Sequence, residues 1–154
     1  KITPTFDDFG KSTLIDIYGN NNLSAALHLS SYNFKSGILK NNGEGNFEFF
    51  EFPEIAQLSS TNDILLQDLD SDGDKDIVIA GNLFTSEIET PRNDAGYGMV
   101  LMNDGDFNFS PVSASQSGLF SPKDTKRLRS ISILGKPHIL MGNNNSTPGL
   151  FKIN

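Results

Sequence analysis

At 154 residues, 36% hydrophobic and 20% charged, the chain has the composition of an ordinary globular domain, neither disordered nor fibrous. Its 19 acidic against 12 basic residues leave a net charge of −7, which repels a phosphate backbone and argues against nucleic acid as a partner. There is no cysteine for a disulfide, thiolate metal site or thiol nucleophile, and no apolar run approaches the ~20 residues of a spanning helix.

The first thirty residues read as a helical lead-in. Thr5 is placed to cap a helix over Phe6–Tyr18, with Asp7 and Asp8 in its first turn and Gly19 ending it. Phe6, Phe9, Thr13 and Ile17 form one stripe of that helix, and Leu23–Leu27 reads as a further short turn. Gly10 works against an unbroken helix.

Strands follow. Ile38-Leu39-Lys40-Asn41-Asn42-Gly43-Glu44-Gly45-Asn46-Phe47 recurs as Val100-Leu101-Met102-Asn103-Asp104-Gly105-Asp106-Phe107-Asn108-Phe109, 62 residues later. Each is an apolar run, an Asn-Asn/Asp-Gly turn suited to positive φ, and a second run led by Phe, which predicts hairpins. The same offset carries Ile77-Val78-Ile79-Ala80 onto Ile139-Leu140-Met141-Gly142. The repeat predicts strands at 36–41, 46–52, 62–67 and 76–81, then at 97–103, 107–112, 129–133 and 137–142. A further single strand is expected at Gly149–Ile153. Four short strands per repeat is the arithmetic of a β-propeller blade. The expected fold is therefore all-β, a partial propeller of four-stranded antiparallel blades behind a short helical segment. Its expected divisions are 1–30 as lead-in, 31–95 as a first blade, and 96–154 as a second blade plus one strand of a further or ring-closing blade.

Between the third and fourth runs lies Asp68-Leu69-Asp70-Ser71-Asp72-Gly73-Asp74-Lys75-Asp76. Carboxylates at positions 1, 3, 5 and 9, with position 7 supplying its carbonyl, suit Ca²⁺, a hard cation that takes six to eight oxygens. Gly73 permits the sharp turn. Position 12 is Ile79 inside a strand-like run, so this is a strand–loop–strand site and not a helical one. The expected ligands are Asp68, Asp70, Asp72 and Asp76 with the carbonyl of Asp74, whose side chain is expected to face solvent. The second repeat has Gly135-Lys136-Pro137-His138 in the equivalent place, so one site is expected.

Other polar residues read as structural. Arg92 can pair with Glu89 or Asp94 in the long 82–96 connection, and His28 and His138 are far apart in apolar company. Lys123, Lys126, Arg127 and Arg129 form a small basic cluster on a solvated turn. No nucleophile–base–acid arrangement or nucleotide fingerprint is present, so no catalytic residue and no enzyme activity is expected.

At the acidic loop, the strand after it, Ala80-Gly81-Asn82-Leu83-Phe84, Arg92-Asn93-Asp94-Ala95-Gly96-Tyr97-Gly98 and Ser117-Gly118, the chain resembles the FG-GAP/VCBS repeat family. It is most similar to the C-terminal portions of bacterial ASPIC-type VCBS-repeat proteins. The resemblance implies a non-catalytic, calcium-binding propeller module exported to the periplasm or the outer-membrane surface, often as a lipoprotein. It would bind other blades of the same propeller and, beyond them, outer-membrane proteins or glycans. The alternative is the propeller portion of a polysaccharide-active enzyme with a structural calcium. Two visible repeats and an orphan strand, opening at Lys1 without an initiator Met, are expected to be the C-terminal part of a larger propeller.

Overall fold

The computed structural model describes residues 3–153. They divide into two compact units, 1–34 and 35–154. The first holds three short helices, α1 (Phe6–Lys11), α2 (Leu14–Tyr18) and α3 (Asn20–Ala25). The single helix expected across this segment is broken. Thr5 does cap α1, its side chain accepting from the Asp8 amide. Thr13, however, opens a new helix by a reciprocal capping box with Asp16, so the chain restarts at a position where it was expected to continue. Gly19 ends α2 at φ +76°, which a β-carbon would strain. None of the three helices buries a residue, and Phe6 on the predicted stripe is 96% exposed.

The second unit is β-rich and contains three antiparallel sheets. A hairpin pairs β1 (Gly37–Gly43) with β2 (Asn46–Glu51). A four-stranded meander follows: β3 (Thr61–Gln67), β4 (Asp76–Gly81), β5 (Met99–Asn103) and β6 (Phe109–Val112), in that spatial order. The last sheet is β7 (Thr125–Ile133), β8 (Lys136–Asn143) and β9 (Gly149–Lys152). A 3-10 turn at Glu54–Gln57 and one helical turn, α4 (Ala114–Ser117), fill the connections. Every predicted strand is present within a few residues of its expected bounds. Their grouping is not as expected: 36–41 and 46–52 stand apart as β1–β2, and 62–67 and 76–81 join the two strands that follow. The sequence repeat is thus offset by two strands from the sheets. The described residues close into no barrel or ring.

Turn chemistry explains two of the hairpins. In β1–β2 the two-residue turn is Glu44-Gly45, both at positive φ, and the Asn41-Asn42-Gly43 predicted as the turn is a bulge just before it. Leu134-Gly135 plays the same part between β7 and β8.

The four-stranded sheet is apolar on both faces. From one face Ile77, Ile79 and Leu101 pack with Phe52 and Ala56, beside Ile38 and Phe109. From the other, Val78, Ala80 and Val100 pack with Leu128, Ile139 and Met141 of the last sheet and with Leu119. All six residues of β4 are buried, as its unbroken apolar run requires of a strand covered on both sides. Ile77, Leu101, Leu128 and Met141 are almost wholly excluded from solvent, each worth about 1.5–3 kcal/mol in transfer terms.

A polar knot ties the strand ends together. Asn82, buried at φ +90°, donates from Nδ2 to the carbonyls of Gly96 (2.7 Å) and Lys123 (3.1 Å). Its Oδ1 accepts from Ser59 Oγ (2.6 Å) and the Gly96 amide (2.9 Å). Nearby Asp124, also buried, pairs with Lys126 at 2.5 Å and accepts from Asn144 Nδ2 at 3.1 Å. The basic cluster expected on a turn instead lies at the start of β7 and is largely engaged. Arg129 reaches Asp63 at 3.3 Å, and Lys123 Nζ donates to Thr147.

Candidate metal centre

The acidic segment joins β3 to β4 and is built by its own carboxylates. Asp68 Oδ1 accepts from the Ser71 amide at 2.6 Å and its Oδ2 from the Gly73 amide at 3.2 Å. Asp70 Oδ1 accepts from the Asp72 amide (3.3 Å), and Asp72 Oδ1 from the Asp74 amide (2.9 Å). The contacts to Ser71, Asp72 and Asp74 are Asx-type turns, in which a short acid folds the backbone two or three residues ahead of itself, and the Asp68–Gly73 contact closes the loop over five residues. Ser71 at φ +67° and Gly73 at φ +102° supply the left-handed steps that return the chain toward its start.

Asp76 anchors the loop to the sheet. It is fully buried at the first position of β4, with Oδ2 accepting from the Leu69 amide at 2.8 Å and Oδ1 from the Asn103 amide of β5 at 3.0 Å. Asn103 also donates from Nδ2 to the Lys75 carbonyl at 3.3 Å. One buried carboxylate therefore holds the loop's second residue and the neighbouring strand at once. Sequence reasoning had no local signal for Asn103; only its repeat-equivalence to Asn41 set it apart.

Of the five predicted residues, the structure brings three together. Single carboxylate oxygens of Asp68, Asp70 and Asp76 all lie within 4.8 Å of one another. Asp72 is exposed and stands outside that cluster, its Oδ1 occupied by the Asp74 amide. The Asp74 side chain, expected to face solvent, is half-buried beside the turn after β5, where a β-carbon added to Gly105 would meet its Oδ2 at 2.7 Å.

Like charges at this spacing repel. At 4 Å a pair costs about 1 kcal/mol in bulk water and about 4 kcal/mol in the medium near a protein surface. The Asp70 carboxyl is held above its ordinary range by partial loss of hydration and by the charges of Asp72, Asp76 and Asp68, against the pull of the Asp72 amide. The donors are all hard oxygens. Two oxygens on opposite sides of a calcium ion stand about 4.6–5.2 Å apart, so three within 4.8 Å fit one ion of that size. The geometry and the donor chemistry suit a hard divalent cation.

No comparable group of three or more metal-ligating side chains exists among the described residues. His28 Nε2 lies 3.1 Å from the Leu23 carbonyl and His138 Nδ1 2.9 Å from that of Lys136. Arg92 pairs with Asp94 at 2.9 Å, as one of its two expected partners, and lies over the Phe84 ring. No helix among the described residues is long and apolar enough to cross a membrane.

The fold and site define a class: a β-rich chain of antiparallel sheets carrying one acidic strand–loop–strand turn. Comparison of the chain with protein-family models, with curated proteins and with solved structures found no match.

Proposed function

We propose that the 68–76 loop is a structural calcium site in a non-catalytic binding module, and that the stacked sheets are blades of a β-propeller. The observation that carries the reading is the convergence of Asp68, Asp70 and Asp76 oxygens within 4.8 Å, on a loop whose backbone is already turned by its own acids. A cation there would neutralise charges that otherwise repel, and would fix the β3–β4 connection against Asn103. The loop's remaining ligands would be the Asp74 carbonyl and, after a rotation releasing the Asp74 amide, the Asp72 carboxylate. Calcium has little Lewis acidity in such a site, so its role is to stiffen the fold. Resemblance to FG-GAP/VCBS repeats supports export to the periplasm or outer-membrane surface and a role in protein or glycan binding.

Titration calorimetry with CaCl₂ tests the metal reading. We expect one site per chain, with affinity in the millimolar range or tighter. No heat at millimolar calcium and no shift in thermal stability would sink it. Turnover of a glycan panel, abolished by one substitution outside the loop, would overturn the non-catalytic assignment.

A further inference from the structure

The three sheets of the second unit pack face to face, which leaves an outer face on the first sheet and another on the last. On the β1–β2 hairpin, Ile38 and Phe50 point inward, Ile38 into the core and Phe50 onto the Phe107 ring. The alternate residues point away from the core, Leu39 paired with Phe49 and Asn41 with Phe47. Leu39 is 64%, Phe47 59% and Phe49 37% exposed, an apolar patch of the kind that marks an interface. Its surroundings are acidic. Residues 36–54 carry Glu44, Glu48, Glu51 and Glu54 against Lys40 as their one base, and Lys35 bridges Glu51 at 2.5 Å.

The last sheet has the opposite charge. Leu128, Ile139, Met141 and Phe151 point into the core. Their neighbours along the strands form two outward rows, Arg129–Leu140–Leu150 and Ile131–His138–Lys152, flanked by Arg127 and by the Ile133–Lys136 pair. Leu150 is 51% exposed, and Ile131 and Leu140 are half-buried. Residues 125–153 hold five cations, Lys126, Arg127, Arg129, Lys136 and Lys152, and no acid, in a chain of net charge −7. Lys126 and Arg129 are bridged to Asp124 and Asp63; Arg127, Lys136 and Lys152 belong to the outer face.

Each end thus has an apolar centre with a charged surround, the usual anatomy of an interface. The two ends suit each other, and neither suits itself. Two copies joined by their last sheets would set cation against cation, and two joined by their hairpins acid against acid, which is costly. Unlike ends bring cations to acids, and place guanidinium and ammonium groups where they can lie over Phe47 and Phe49, as Lys40 Nζ lies 4.8 Å from the Phe107 ring centre within the chain. We propose that the chain associates head to tail with copies of itself, the outer face of β7–β8–β9 in one copy stacking on the outer face of β1–β2 in the next. The contact is heterologous. Every assembly short of a closed ring keeps one unused face of each kind, so growth continues until a ring closes or a filament forms. The inference depends on neither the cation nor the propeller reading.

Sedimentation velocity of the 154-residue chain should show species larger than one chain, favoured by higher protein concentration. They should be fewer at about 1 M than at about 0.1 M salt, as the screening length falls from about 10 to about 3 Å. Phe47→Lys blocks the first face and Leu150→Gln the last; both positions are exposed, so both variants should melt like the wild type. Each variant alone should sediment as a single chain. Mixed in equal amounts, they should form a complex of one copy of each and nothing larger, because only one sound face of each kind is then present. Should either variant fail to fold, Leu39→Lys or Arg127→Gln replaces it on the same face. A wild type that remains a single chain at millimolar concentration overturns the proposal, as does a mixture with no one-to-one complex. Assembly that survives either substitution overturns it too, and two-chain dimers persisting in one variant would assign the contact to like faces.

Discussion

Asp70 and Asp76 sit in the same acidic loop, but only the substitution of Asp76 should be costly without calcium. Asp76 is fully buried and accepts from two backbone amides, Leu69 at 2.8 Å and Asn103 at 3.0 Å. Asp76→Ala leaves both donors without a partner. A hydrogen bond to a charged group contributes about 1.5–3 kcal/mol, and Leu69 is near enough to water to recover part, so the loss should be about 3 kcal/mol. For a domain of this size that is roughly 10 °C in Tm, and it should already appear in EDTA; in calcium the gap should widen, because the variant also lacks one of the three converging ligands. Asp70 is exposed and makes one long Asx contact, 3.3 Å to the Asp72 amide, while three neighbouring charges oppose its ionisation. In EDTA, Asp70→Ala should therefore fall within about 0.5 kcal/mol of wild type. With calcium at a hundred times its dissociation constant the wild type gains about 2.7 kcal/mol, and Asp70→Ala should gain almost nothing. The assay is a thermal melt of three proteins in two buffers. A wild-type-like melt for Asp76→Ala in EDTA would refute the hydrogen-bond argument. Retention of the full calcium increment by Asp70→Ala would refute the ligand assignment.

Three further outcomes are expected. Gly81→Ala drives a β-carbon into the Ser60 carbonyl oxygen, so the backbone leading into β3 must shift, at about 3 kcal/mol, which urea unfolding would register as a lower midpoint. Asn82→Ala loses four buried hydrogen bonds and strains a position at φ +90°, whereas Asn82→Gly loses only the bonds; the glycine variant should melt higher by about 1 kcal/mol, and equal melts would remove the backbone from the account. The third concerns acid. Burial pushes the Asp63 carboxyl up, but the Leu128 and Ile64 amides and the Arg129 and Arg127 charges outweigh it. Burial likewise raises Asp124, but Lys126, Asn144 and the Phe84 amide bring it below the ordinary range. The unfolded chain then binds more protons than the folded one, so the stability these acids contribute is present above about pH 4 and is lost as pH falls through their folded values. Urea midpoints from pH 6 to 3 in EDTA should drop more steeply for wild type than for Asp124→Asn; parallel curves would show that Asp124 does not carry the effect.

Local features of this molecule were legible from residues alone because their causes are local. Alternating or unbroken apolar runs located all nine strands, the acids at every second position drew the cation loop, and Thr5 and Gly19 marked helix ends. The sequence also showed that β4 is covered on both faces, since Ile77-Val78-Ile79-Ala80 offers no polar side to water. The blades read from it, with strands 36–41 through 76–81 in one sheet, are overturned by the strand order. A two-residue period states that a strand exists and has faces, and says nothing about its partner; the 62-residue repeat has no natural starting strand. Long-range packing chose the start, placing Ile77 and Leu101 against Phe52 on one side and Val78 and Val100 against Leu128 on the other. Tertiary structure likewise selected Asp68, Asp70 and Asp76 from five acids, because only the strand direction of β4 and the amides of Leu69 and Asn103 decide where a carboxylate points. Asn82, Asn103 and Asp124 acquire their roles from groups up to 41 residues away in sequence, and no local pattern encodes such a distance.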